Sequence, residues 1–216
     1  ENIRDRVLDK IIDQALSITN YLIDCYRYIT KEEYIQRLGS LSVNTLYLLK
    51  ENRGFYAMGM GRGIETAVMN RSKQEIEGIE KMLANGTEPP LEDLLILDSH
   101  SALERKAFTL AVVESFQALE IMLEKYLLSV LEKKGLDKEQ RGALLDKKWR
   151  TKERLTAVLI EATGRSLNTE TTLWDKWCTH YDKTRNEVIH QGKRASEDET
   201  KGVLDTNEKV IEWLRN

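Results

Sequence analysis

The 216-residue chain has two prolines, and they are adjacent, at Pro89 and Pro90. Proline lacks the amide donor a helix needs and restricts the residue before it, so this pair is the strongest boundary in the sequence. Beyond it no proline interrupts the chain, and apolar side chains recur at helical spacing. Phe108, Val112, Phe116, Leu119, Leu123, Tyr126 and Val130 lie three or four apart, which keeps them on one face of a long helix. Ser101 with Glu104 has the form of a capping box at its start, and Gly135 is placed to end it. Further helices are predicted around 150–163, from about 169 to 190 (face Leu173, Trp177, Tyr181, Val188), and after the Ser196–Glu199 box, where Val203, Leu204, Val210, Ile211 and Leu214 form the buried side. Short connections favour antiparallel neighbours, so residues 98–216 read as a helical bundle.

The N-terminal region, residues 1–97, reads as α+β. Val7, Leu8, Ile11, Ile12, Ala15, Leu16, Leu22, Ile23, Tyr26 and Ile29 mark one face of a first long helix. Thr30 with Glu33 predicts the start of a short second helix. From Val43 the texture changes to "VNTLYLL", "KENRG" and "FYAMGMGRGIETAVMN", where β-branched and aromatic residues are interrupted by glycines. Two or three strands are expected, as a β-hairpin or short sheet. Ser72 with Glu75 caps another helix that Gly86 closes. The fold class expected is mainly α with a small N-terminal β-element.

Composition narrows the function classes. The formal charge is −3, from 33 Lys+Arg against 36 Asp+Glu, which does not announce a nucleic-acid binder. Locally, "RGALLDKKWRTKER" concentrates Arg141, Lys147, Lys148, Arg150, Lys152 and Arg154, either a phosphate-facing strip or a solvated helix face. No apolar run is long enough to span a membrane, and the charged start "ENIRDRVLDKII" is unlike a secretory signal. Glu rather than Met stands at position 1, so a trimmed chain or a piece of a longer one is expected. Cys25 and Cys178 are lone thiols inside predicted helices; they build no disulfide framework and point to a reducing, cytoplasmic compartment.

The stretch "YDKTRNEVIHQGKR", residues 181–194, ends an amphipathic pattern with Arg185, Asn186 and His190. Spacing alone leaves two readings open. These are ordinary polar residues at a helix end, with Arg185 paired to Asp182 or Glu187, or they are a convergent polar site. Asn186 and His190 share a helical face. On a straight helix Arg185 and His190 diverge by roughly 140°, so convergence needs a bend or a second copy.

The same stretch resembles the Arg-Asn-x-x-x-His signature of the HEPN superfamily of helical domains, in which four to six residues lie between an arginine and a histidine; four lie between Arg185 and His190. "AFTLAVVESFQALEIMLEKYL" is similar to that family's first long helix, and "NYLIDCYRYIT" resembles the helix before the small β-region of its Apea-like branch. The resemblance covers residues 98–216 and, more weakly, 15–60. It implies a homodimer that brings two motifs together and cuts RNA without metal or cofactor, leaving 2′,3′-cyclic phosphate ends. Arg185 would then hold the scissile phosphate, His190 would serve as acid and base, and Asn186 would orient one of them or the phosphate. Lys183, Lys193, Arg194, Lys148 and Arg150 are the expected RNA contacts, with Trp174 and Trp149 available to the dimer interface. A regulatory protein partner is compatible with this reading. Many members of the superfamily have lost activity, so the alternative is a non-catalytic dimer that binds a protein partner or nucleotide.

Other motifs carry less. "GMGRG", residues 59–63, lacks the ending of a phosphate-binding loop and reads as a bulge or turn. Cys178 and His180 are two apart and diverge on a helix, which disfavours zinc. His100 reads as a surface residue. Glu114 and Glu120 are expected in solvent, the alternative being a pair with Arg185. Trp174 and Trp177 are both candidates to stack on bases, and of the two Trp177 at least reads as core.

Overall fold

The computed structural model describes residues 3–39, 45–46, 57–58 and 72–216. The chain is mainly helical and divides into two compact units, Glu1–Pro89 and Pro90–Asn216. The division falls at the proline pair; the helix that begins at Leu91 runs through positions 97 and 98 and belongs with the second unit.

In the first unit α1 spans Ile3–Thr30 and packs on α2, Lys73–Asn85. The Ser72–Glu75 box is present, each partner accepting a bond from the other's backbone amide, and Gly86 closes α2 at φ 61°. The Tyr21 hydroxyl stands 3.0 Å from the Met82 carbonyl and 3.1 Å from that of Thr87, tying α1 to the end of α2. No helix follows Thr30 in residues 31–39. The Thr30 hydroxyl donates back to the Tyr26 carbonyl at 2.8 Å, and Lys31 takes the left-handed conformation, φ 57°, so Thr30 ends a helix instead of capping the next. The following strip is held by side chains of α1. Asn20 bonds both the amide and the carbonyl of Leu38, and the Asp24 carboxylate accepts from Arg37.

The expected hairpin is not seen as such. Among the described residues β structure amounts to a two-residue antiparallel ladder, with Thr45–Leu46 (β1) opposite Ala57–Met58 (β2). The rest of the predicted strand region, including the glycines of 59–63, lies outside the described residues.

The second unit is built around one helix. After the prolines come α3, Leu91–Glu104, and α4, Phe108–Lys133. Ser101–Glu104 is not a cap: Ser101 is a buried residue inside α3, and the corner falls at 105–107. There Lys106 turns left-handed, φ 60°, and the amides of Lys106 and Ala107 bond the carbonyls of Leu103 and Ala102. These two bonds are those of a Schellman closure, made with lysine where glycine is usual. Gly135, φ 85°, ends α4 with the same pair of bonds.

Helix α5 spans Lys138–Lys147 behind an Asp137–Gln140 capping box that the sequence reading missed. Helix α6 is a rod over 151–163, with a π-turn at Arg154–Val158 between α-helical Thr151–Glu153 and Leu159–Thr163. Helix α7 covers 171–191 with a π-turn at His180–Arg185 between Thr171–Thr179 and Asn186–Gln191. Helix α8, Glu197–Arg215, opens on the Ser196–Glu199 box. The buried face of α4, Ala111, Val112, Phe116, Leu119, Leu123, Leu127 and Leu131, meets α3 and α8 most closely and also touches α5, α6 and α7. Val203, Leu204, Val210, Ile211 and Leu214 of α8 are all buried in the same core. Asn207 donates to Ser115 across it at 3.0 Å. His100 is not a free surface residue, because its Nε2 meets the Glu208 carboxylate.

Close packing between α7 and α8 carries a pH dependence. A methyl group built on Gly202 would stand 3.0 Å from His180 Cε1, so the imidazole lies against helix backbone. Burial pushes His180 below the ordinary histidine value near 6.5; Lys176 pushes the same way, and Asp205 and Glu199 push back. The unfolded chain therefore takes up this proton first. Stability falls as pH drops through about 6.5 toward the lower folded value, and no more is lost below that. Urea midpoints at neutral and mildly acidic pH check it: wild type should lose more than His180→Gln over that interval, and equal losses would remove His180 as the cause.

Candidate functional site

The site grows out of an aromatic stack on α7. Trp174, Trp177 and Tyr181 follow at three- and four-residue spacing, with ring centres 5.6 Å and then 4.8 Å apart and planes within 28° of parallel. Trp177 is fully buried, and Phe116 of α4 meets Tyr181 edge-on at 6.1 Å. Helical side chains lean toward the N-terminus, and Arg185 does so. Its guanidinium lies 4.9 Å from the Tyr181 ring centre and 5.9 Å from that of Phe116, a favourable placement for a cation over aromatic faces. The stack ends in a charge.

Arg185 is paired, but not within its own helix. Its Nη2 donates to Glu120 of α4 at 2.9 Å, and the same carboxylate oxygen accepts from the Thr151 hydroxyl at 3.1 Å. The expectation that Glu120 is solvated is thus corrected: α7 docks on α4 with the arginine facing it. The local candidates are engaged elsewhere, Asp182 by Lys152 and Glu187 by Lys193. Partly exposed ion pairs contribute at most about 1 kcal/mol, so this one orders the arginine more than it stabilises the fold. Arg185 Nε is buried without a hydrogen-bond partner, which leaves one donor of the fork unspent.

Arg185 and His190 line a single cavity of about 450 Å³ together with Glu120, Thr151, Tyr181 and Trp149. The roughly 140° divergence on a straight helix does not keep them from opening on one space. Between the two the chain is ordinary α-helix, Asn186–Gln191, the π-turn ending at Arg185; what brings Arg185 to the cavity is that its side chain lies back over Tyr181. His190 is exposed in the last turn. Asn186 is not among the lining residues; its amide donates to the Asp182 carbonyl at 3.2 Å.

The expected RNA contacts scatter. Lys183 is exposed on the π-turn. Lys193 is held by Glu187 at 2.6 Å and Glu199 at 3.6 Å, and the bond to Glu187 raises its ammonium above the usual lysine range. Arg194 borders a separate hollow with Lys106, Phe108 and Leu110. Lys148 is half-buried, and Arg150 is exposed with its guanidinium 5.4 Å from the Trp149 ring centre. The basic strip is partly consumed by structure. Arg141 pairs with Glu132, Lys152 with Asp182, and Arg154 with Glu124. Arg154 also donates to the Leu145 and Lys148 carbonyls at 3.1 and 3.0 Å, which caps the end of α5 from a distance and holds the turn that carries Trp149.

Glu120, Thr151, Tyr181 and Trp149 are among the cavity residues that sequence reasoning did not place there. Glu120 was within reach as a possible partner of Arg185; for Thr151 and Trp149 no local pattern distinguishes them from their neighbours. Cys178 is half-buried and burial raises its thiol, while His180 turns toward Gly202. No helix among the described residues is long and apolar enough to cross a membrane. Comparison with known proteins finds no matching family model, curated protein or solved structure.

Proposed function

We propose that the second unit is a metal-independent endoribonuclease of HEPN type, acting as a homodimer and leaving 2′,3′-cyclic phosphate ends. The observation that supports this reading is that Arg185 and His190 line one cavity, the arginine oriented by Glu120 and by the Tyr181 ring. In this reading the Arg185 guanidinium holds the phosphate and its developing charge. His190 takes the 2′-hydroxyl proton, that oxygen attacks phosphorus as the bond from phosphorus to the 5′-oxygen breaks, and the imidazolium so formed gives its proton to the departing 5′-oxygen. Asn186, bonded to its own helix, steadies the turn that carries both. The products are a cyclic phosphate and a free 5′-hydroxyl.

A second reading has its own observation. Arg185 is tied to Glu120 and Asn186 to the Asp182 carbonyl, so two of the three motif residues have structural partners, as suits a non-catalytic dimer that binds a protein partner or nucleotide. Incubating the chain with mixed RNA in chelator and analysing the ends separates the two. Cross-complementation tests the dimer. Arg185→Ala and His190→Ala chains, each inactive alone, should recover measurable cleavage when mixed if each copy completes the other's site. A monomer that is fully active at micromolar concentration would rule the shared site out.

A further inference from the structure

We propose that Trp149 is a nucleobase platform at the rim of the Arg185–His190 cavity, and that the substrate entering it is single-stranded RNA. The inference rests on the ribonuclease reading of that cavity. Of the four tryptophans, Trp177 is buried, Trp174 is half-buried against it, and Trp213 is half-buried with the Arg165 guanidinium 4.5 Å from its ring centre. Trp149 is 68% exposed. It is also the one that lines the cavity.

Its setting suits a base better than a protein side chain. The turn between α5 and α6 that carries it is fastened from below by three bonds of Arg154, to the Lys148 carbonyl, the Leu145 carbonyl and the Glu124 carboxylate. The ring is therefore displayed from an ordered turn, and little freedom is lost when a flat partner stacks on it. Arg150 beside it supplies a positive charge for the backbone of a strand that runs from the ring toward Arg185. The carboxylates of the lining are matched, Glu120 by Arg185 and Glu124 by Arg154, so they do not repel a phosphate at full strength. Every base has a π-face, and stacking on an aromatic ring is indifferent to sequence. Bases within a duplex already stack on one another and cannot offer that face, which selects an unpaired strand.

The test uses a short 2′-O-methyl oligouridylate, which cannot be cut because the nucleophile is blocked, an abasic oligomer with the same backbone, and a duplex of equal length. Labelled strands are titrated with wild-type, Trp149→Ala and Trp149→Phe chains. Wild type should bind the single strand; Trp149→Ala should bind it about ten-fold more weakly, and Trp149→Phe should stay within about three-fold of wild type. The abasic strand and the duplex should bind wild type as weakly as the single strand binds Trp149→Ala. Equal affinity of wild type and Trp149→Ala, equal affinity for the abasic strand, or no binding by wild type overturns the platform. So does a Trp149→Ala chain that loses its dimer in sedimentation while keeping oligonucleotide affinity, since that makes Trp149 a protein contact. The two proposals fail separately. Cleavage of mixed RNA by Trp149→Ala at wild-type kcat/KM removes the platform and leaves the ribonuclease; Trp149-dependent binding in a chain that cuts nothing does the reverse.

Discussion

A His190→Ala chain is expected to lose about two to four orders of magnitude in RNA cleavage while its thermal midpoint hardly moves. The two halves of this result have separate causes. His190 is exposed in the last turn of α7, and its side chain enters none of the hydrogen bonds or ion pairs among the described residues; surface substitutions of that kind shift stability by no more than about 0.5 kcal/mol. Its proposed work is proton transfer at the cavity it shares with Arg185, and no neighbour there duplicates an imidazole. Cleavage rates on a defined RNA, set beside a thermal melt of the same preparations, measure both. Equal rates in the two chains would remove His190 from the mechanism, and a large fall in midpoint would make the loss of activity uninformative.

Trp177→Ala should show the opposite pattern, a loss of roughly 3–5 kcal/mol of stability, as is typical when a buried large aromatic is truncated. The indole is fully buried and lies between Trp174 and Tyr181. Removing it leaves a void under the ring that supports Arg185. For a unit of this size the thermal midpoint should drop by roughly 10 °C or more. Near-ultraviolet circular dichroism follows the aromatic stack through the melt. A midpoint within about 2 °C of wild type would mean that the stack collapses around the void at little cost. Trp177→Phe, which keeps an aromatic ring in place, should recover part of the difference.

Much of the helical framework was legible because helix formation is written in local spacing. The apolar face of α8, the serine boxes at Ser72 and Ser196, and the glycines at 86 and 135 all depend on residues within a turn or two of one another, and the structure has each where it was expected. On α4 Val112, Phe116, Leu119 and Leu123 are buried as expected, but Phe108, Tyr126 and Val130 are only partly so, and Leu127 and Leu131 take the core positions of its C-terminal half. Two further boxes show where such local rules fail. Thr30–Glu33 and Ser101–Glu104 have the right residues, yet both sit at or near the C-terminal end of a helix that already exists. Both corners are made by lysines in the left-handed conformation, Lys31 and Lys106; without a glycine, nothing in the composition marks them.

By itself the sequence determined that the second unit would be helical, which face of α8 and of the first half of α4 would be buried, and that Arg185, Asn186 and His190 would fall near the end of one helix. Only the tertiary structure decided what surrounds them. Glu120 reaches Arg185 across 65 residues of chain, Thr151 at the start of α6 and Trp149 in the turn that Arg154 fastens enter the cavity, and Arg185 lies back over the Tyr181 ring while bordering the same space as His190. The reason is the range of the forces involved. Backbone hydrogen bonds and the hydrophobic period act over three to five residues and can be read along the chain. The pairing of a charge or the exposure of a ring is fixed by which helix packs against it, and that is settled only when the whole core closes.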